Sequence, residues 1–390
     1  MKAKSIYGKS PEQIKSALSE SMADGFKPTL AVVFISIKQD RKVVCEILNR
    51  ENIEILGATS SGEFVDGHQS EGEIAILLLD LSRENFCVLF ESTKGIDINS
   101  AAEKAAQFAL SKFPNPAFIL LSTCLSNSGE MYDGQALIHS LEKAIGEDVD
   151  IFGGMAGADG ALTGTYVFDN KHTTDEGFAL LVLNGDKMNL TGTAISGWKP
   201  IGKIRTVTKC EDGWMHEIDG QPALDMYLRY LGQSLNKADE SGQIFFVEDI
   251  GFFHPFIAVD SGEPILRTPM EVDKEKNAIK LDFPLLEGEQ LQFTLPPDFD
   301  IIETVLDNAA AIKEKQMEDD ADALLIFSCL GRISALGPLI EQENEGLHKI
   351  WSAPMAGYFT YGEYGKGLDN NYKFHSTTCS WVALKEKPTD

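Results

Sequence analysis

Ala117-Phe118-Ile119-Leu120-Leu121-Ser122-Thr123-Cys124-Leu125 and Ala323-Leu324-Leu325-Ile326-Phe327-Ser328-Cys329-Leu330 are two versions of one phrase. Each is an apolar run of strand length that ends in small polar residues, a cysteine and a leucine. A stretch with helical periodicity follows each, about 134–144 and 338–346. A short strand then runs into glycines: Gly153-Gly154-Met155-Ala156-Gly157 in one copy, Met355-Ala356-Gly357 in the other. A weaker copy lies upstream and lacks the cysteine. It has a strand at 30–37, a helix at 39–49, and a strand at 53–56 ending in Gly57-Ala58-Thr59-Ser60-Ser61-Gly62-Glu63-Phe64. Its Gly62-Glu63-Phe64 resembles Gly362-Glu363-Tyr364. A strand–helix–strand crossover makes parallel neighbours. The period is too long and uneven for a solenoid. The expectation is a mixed α/β fold of duplicated strand–helix–strand units, forming β-sheets flanked by helices.

Outward from these copies, Ser10-Pro11-Glu12-Gln13 starts a helix within 1–28, with serine as cap and proline in the first turn. Ser100-Ala101-Ala102-Glu103 reads as a capping box for a helix to about 112. Between the second and third copies, 191–299 reads as a strand-rich insert. Strands are expected at 204–207, 243–247, 257–259, 279–281 and 291–295, with a hairpin turn at Asp260-Ser261-Gly262-Glu263 and one helix at 221–231. A helix from Asp300 to about 316 leads into the third copy.

The 390 residues are 43% hydrophobic and 24% charged, enough apolar material for a sizeable core. Acids outnumber bases 60 to 34, for a net charge of −26. Such a surface repels phosphate backbones and anionic lipid, so neither nucleic acid nor a membrane is an expected partner. The first residues show no secretory pattern, and the apolar runs are too short to span a bilayer. Six dispersed cysteines without a CxxC pair suit reduced thiols and a cytoplasmic location.

The glycine turns, with Phe327-Ser328-Cys329-Leu330-Gly331-Arg332 and Gly357-Tyr358-Phe359-Thr360-Tyr361-Gly362-Glu363, carry a resemblance that covers nearly the whole chain. The sequence resembles the FIST proteins, which join an N-terminal and a C-terminal FIST domain. On that resemblance the chain divides into an N-terminal helix (1–28), a FIST N-terminal-type domain (29–220) and a C-terminal-type domain (221–384). It implies a sensory module of intracellular signalling that binds a small, amino-acid-like metabolite. Some members of this length are similar to haem-binding nitric-oxide sensors that regulate histidine kinases, which makes haem a candidate cofactor and such a kinase a candidate partner.

The candidate ligand-binding residues are Thr59, Ser60, Glu63, Gly154, Met155, Gly157, Cys329, Arg332, Tyr361 and Glu363. Glycines let a ligand approach main-chain N–H groups. Arg332 suits a carboxylate, or else forms a salt bridge with Glu341 or Glu343. The tyrosines around Glu363 suit an amine, or else belong to the core. The seven histidines have no zinc spacing. A haem needs one axial ligand, for which His254, among Phe252, Phe253 and Phe256, is the first choice and His375 the second. Nucleotide-loop and serine-elbow motifs are absent, so no catalytic residues are assigned. An enzyme reading, thiol or hydrolytic, needs a base beside Cys124 or Cys329.

Overall fold

The computed structural model describes residues 1–146, 149–161, 163–232, 250–259, 265–298, 300–316, 320–367 and 371–388. The strand expected at 243–247 and the turn at 260–263 lie outside the described residues. Three of its sheets have one plan. In each, two parallel strands are joined by a helical crossover: Leu30–Ser36 with Glu54–Ser60, Pro116–Ser122 with Ile151–Met155, and Ala323–Cys329 with Met355–Thr360. An antiparallel strand closes the outer side of each first strand: Ile74–Asp80, Gly177–Asn184 and Cys379–Glu386. An edge strand then flanks each closing strand: Lys2–Gly8, Phe86–Ser92 and Met188–Ile195. The duplicated α/β expectation holds, and there are three full units.

Two boundaries differ from expectation. The segment before residue 29 holds the strand Lys2–Gly8 as well as the helix Pro11–Ser21. Met188–Ile195 belongs to unit three's sheet, so the insert begins at Pro200.

The units are interlocked by a cyclic exchange. After the second parallel strand, each chain segment leaves its own sheet as a hairpin and pairs elsewhere. The hairpin of Glu63–Val65 and His68–Ser70 joins unit three's sheet at Met355–Thr360. That of Glu363–Lys366 and Tyr372–His375 joins unit two's at Ile151–Met155. That of Val167–Phe168 and Thr173–Thr174 joins unit one's at Glu54–Ser60. Two of the three sheets therefore interleave residues from both sides of position 220.

Glycine makes the exchange possible. The arriving aromatic ring lies where a Cβ would stand: Phe168 over Gly57 and Phe64 over Gly357, while Tyr364 pairs with Gly153. A ring filling the space above a strand glycine is a cross-strand packing device. Gly57→Ala is expected to cost roughly 1–3 kcal/mol by overpacking. In a denaturation double-mutant cycle with Phe168→Ala the two losses should fall short of additive. Full additivity would show that the ring and the glycine are not coupled.

Strand alternation sets the layers. Leu30, Val32 and Phe34 point into a central core with Leu325, Phe327 and Tyr358, whereas Ala31, Val33 and Ile35 face the helices of unit one. At the centre Phe34 stacks on Tyr358 with ring centroids 4.5 Å apart, and Phe327 meets both rings edge-on. Burial on both faces explains why the first parallel strands are continuous apolar runs.

The helices start on short acceptors. Ser10 accepts from the Gln13 N–H, Asp40 from Val43 and Asp133 from Ala136. The helix expected from Ser100 begins earlier, at Ile98. Asp97 caps it, accepting from the Ser100 N–H, because an aspartate was already in place one turn upstream. Cys329 ends its strand and Leu330-Gly331-Arg332 opens a helix, Leu330–Leu336, ahead of the crossover helix Ile340–Trp351.

The insert forms its own sheet, with Pro200–Glu211 between Trp214–Ile218 and Gln290–Thr294. It has a separate core of Val207, Met215, Tyr227, Phe256, Ile279 and Phe293 beneath the helix Ala223–Leu231.

Candidate functional site

The three glycine turns meet where the exchanged hairpins cross. Their backbones close a ring: Gly157 donates to the Thr59 carbonyl at 2.8 Å, Ser61 to Phe359 at 3.0 Å, and Tyr361 to Met155 at 3.3 Å. This ring fixes the internal register. Thr59, Met155 and Phe359 are equivalent, and so are Gly57, Gly153 and Gly357. The two Met-Ala-Gly triplets are therefore offset by four residues, and Cys329 corresponds to Thr123 rather than Cys124. The repeat was real, but the matching words were not the matching positions.

Eight of the ten expected ligand residues lie at this junction. They are packed against one another. Thr59 accepts from the Tyr166 N–H, Gly157 lies against Ser61, and Gly154 against Thr360 and Tyr358. Met155 lies under Gly134 and Gly362. The main-chain groups of the turns are engaged by each other.

Glu63 and Glu363 are held alike. Ser60 donates to Glu63, and the Glu73 N–H donates to its other oxygen at 2.9 Å. Thr360 lies 2.5 Å from one Glu363 oxygen, and Thr378 donates its N–H (3.1 Å) and hydroxyl (2.8 Å) to the other. Burial pushes each acid up to about 8, against the hydroxyl and N–H donors that favour the anion. Thr360 also reaches the Ser328 carbonyl at 3.2 Å. A hydroxyl has one proton, so if it goes to Ser328, Glu363 must carry the proton of the Thr360 contact. A neutral acid is a poor partner for an amine, which disfavours the amine reading of this cluster. Tyr358 and Tyr364 belong to the core.

Cys329 and Arg332 stand one element away. Arg332 is fully buried and engaged: Nε donates to Glu343 Oε1 at 3.1 Å, Nη2 to Oε2, and Nη1 to the carbonyls of Ser196 and Thr377. Of its two readings, the geometry favours the salt bridge to Glu343. Burial pushes the Cys124 thiol up to about 12 and raises Cys329 well above its ordinary value. A nucleophile needs the thiolate, so both sites work against thiol chemistry.

Neither haem candidate fits well. His375 is buried with Nε2 on the Gly365 carbonyl at 3.2 Å. Burial lowers the His254 pKa, which suits a neutral ligand, and no hydrogen bond from a described residue reaches its Nδ1. A porphyrin there would have to displace neighbouring Phe252 from its packing on Gly331. Among the described residues no group of three or more His, Cys, Asp or Glu could hold a metal ion.

The sequence reading missed the seam where the insert meets units two and three. Arg267, 5% exposed, donates to its neighbour Leu266 O (3.0 Å) and to Gln135 Oε1 (3.2 Å) of unit two. Its Nε has no hydrogen-bond partner, and no carboxylate pairs with it among the described residues. Asp282 lies within electrostatic reach. It accepts from Ser376 Oγ and from the N–H groups of Thr268 (2.9 Å) and Phe283 (2.8 Å), and burial raises its pKa. Thr268 in turn meets Thr377 at 2.8 Å. The signal was an arginine inside the short run Ile265-Leu266-Arg267. Only the tertiary structure shows that this strand turns its face to another unit.

The class of protein is thus one of three interlocked α/β units that carry an inserted sheet, with polar side chains buried at the seam. The family model described as the FIST N domain matches residues 29–221, and that described as the FIST C domain matches 223–366. The chain belongs to the FIST family, whose domains are associated with signal-transduction sensors that bind small ligands. A search of curated proteins returned no match. No helix among the described residues is long and apolar enough to cross a membrane.

Proposed function

We propose that this chain is a cytoplasmic sensor whose ligand, an amino-acid-like metabolite, binds at the seam beside Arg267 and Asp282. The observation that supports this is the Arg267 guanidinium, buried, with its Nε open and no carboxylate in salt-bridge contact among the described residues. A buried charge left unpaired is costly, and a ligand carboxylate would relieve that cost. Asp282, on the insert's side of the same seam, would stand beside the bound ligand. Because the seam joins insert and body, occupancy would alter how the two parts pack. A signalling partner such as a histidine kinase would read that change, and by linkage it would tighten the ligand.

Calorimetric titration of the full chain with the common amino acids tests this. One of them should bind the parent protein and lose at least tenfold in affinity in Arg267→Gln, as expected for a charged hydrogen bond. No binding at millimolar concentration across the set, or equal binding by the variant, removes the reading.

A further inference from the structure

Unit one carries a cleft that the sensor reading does not use. It is about 630 Å³, between the start of the helix Arg41–Arg50 and the hairpin Val167–Thr174 that unit two lends to unit one's sheet. That volume is within the range of small-molecule sites. Four cations line it: Lys38, Arg41, Lys42 and Lys171. Lys38 pairs with Asp159 at 3.2 Å. No ion pair of Arg41, Lys42 or Lys171 occurs among the described residues, although acids exceed bases 60 to 34 in the chain.

The two lining acids offset part of this charge, and local structure engages both. Asp40 caps the helix at the Val43 N–H. Asp169 accepts from the N–H groups of Lys171 (2.7 Å) and His172 (2.6 Å) and from the His172 ring. Arg41 lies over the Tyr166 ring at 4.2 Å, so its fork is held in one plane. It is partly buried, and burial lowers its pKa. A partly desolvated guanidinium without a counter-ion is stabilised by an arriving anion.

The same place in unit two is filled. There the residue after the capping aspartate is Gly134, and Met155, Tyr364 and Phe374 occupy the space beside it. The insert adds Phe283, edge-on to Phe374 at 4.4 Å. The repeated plan therefore does not require a hollow; unit one keeps one and lines it with base.

We infer that this cleft binds a compact multivalent oxyanion of the phosphate or polycarboxylate class, held between Arg41 and Lys42 of unit one and Lys171 of the exchanged hairpin. Such an anion bridges two units at the exchange junction and tightens the hairpin on its host sheet. This site is separate from the seam around Arg267.

The test is calorimetric titration of the full chain with inorganic pyrophosphate, without divalent metal and at constant ionic strength set with sodium chloride. Binding is expected, and Lys171→Gln and Arg41→Gln should each weaken it about tenfold or more. Lys171 is exposed at a hairpin tip, so its variant tests the site even where loss of the Arg41–Tyr166 stack disturbs folding. Arg267→Gln should leave pyrophosphate binding unchanged. The proposal is overturned if pyrophosphate gives no more heat than chloride, or if Lys171→Gln binds it as the parent does. It is also overturned if Arg267→Gln abolishes binding, which would place the anion at the seam. Failure of amino-acid binding at Arg267 would leave the cleft result standing.

Discussion

Glu343→Gln is expected to destabilise the protein by about 3–5 kcal/mol, the typical cost of removing one partner of a buried ion pair. Both side chains of the Arg332–Glu343 pair are completely shielded from solvent. Burial works against the Arg332 charge, yet Glu343 outweighs it and the pKa is raised. Trp198 lies 5.5 Å from the guanidinium carbon, and the carbonyls of Ser196 and Thr377 take one nitrogen. Without Glu343 those neutral partners remain, and a whole charge stays in a low-dielectric interior. The double variant Arg332→Met/Glu343→Leu removes both charges and should recover most of the loss. Urea denaturation of the three proteins measures this. A Glu343→Gln variant within about 1 kcal/mol of the parent would mean that water reaches the pair. The double variant falling below the single would mean that the hydrogen bonds to Ser196 and Thr377 matter more than the charge.

Arg332 also shows how far the sequence could be read. Its readings, a ligand carboxylate or a salt bridge to Glu341 or Glu343, are all open in the sequence, because an arginine beside a glycine after a buried strand suits each. Choosing between them needs the distance from the helix Leu330–Leu336 to Ile340–Trp351, a tertiary quantity. The strands and crossover helices were legible because burial on both faces leaves uninterrupted apolar runs. The edge strand Lys2–Gly8 was not: its residues are mostly part-exposed, and Lys2, Lys4 and Ser5 break the apolar pattern.

The exchange of hairpins was illegible for a different reason. Phe64, Phe168 and Tyr364 would read the same whether they packed on their own sheet or a neighbour's. Their glycine partners mark a close approach without saying what approaches. Gly57 and Gly357 admit aromatic rings, while Gly154 and Gly157 admit the close approach of Thr360 and Ser61. Arg267 and Asp282 were passed over because they bear no motif, and their significance arises only where the insert's sheet meets the body.

The stability of the protein should fall as pH rises from about 4.5 to about 8, and Glu63 and Glu363 should account for much of the fall. Burial pushes each up to about 8 in the fold, against 4.5 for the free side chain. Between those values the native state holds a proton on each that the unfolded chain has released. The unfolded state therefore binds fewer protons, and unfolding becomes easier as pH increases. The slope approaches about 1.4 kcal/mol per pH unit for each group and vanishes where both states are protonated or both ionised. His254 acts in the opposite sense below about 6.5, because burial keeps its ring neutral in the fold. The clean measurement is therefore variant against parent. Glu363→Gln replaces a neutral acid by a neutral amide of the same shape, able to donate to Thr360 and accept from Thr378. At pH 5 it should unfold within about 1 kcal/mol of the parent. At pH 8 it should be the more stable of the two, and Glu63→Gln should behave likewise. Urea midpoints at pH 5, 6.5 and 8 decide the matter. A variant equally weakened at all three would show that Glu363 is ionised in the fold and that its hydroxyl and N–H donors prevail over burial.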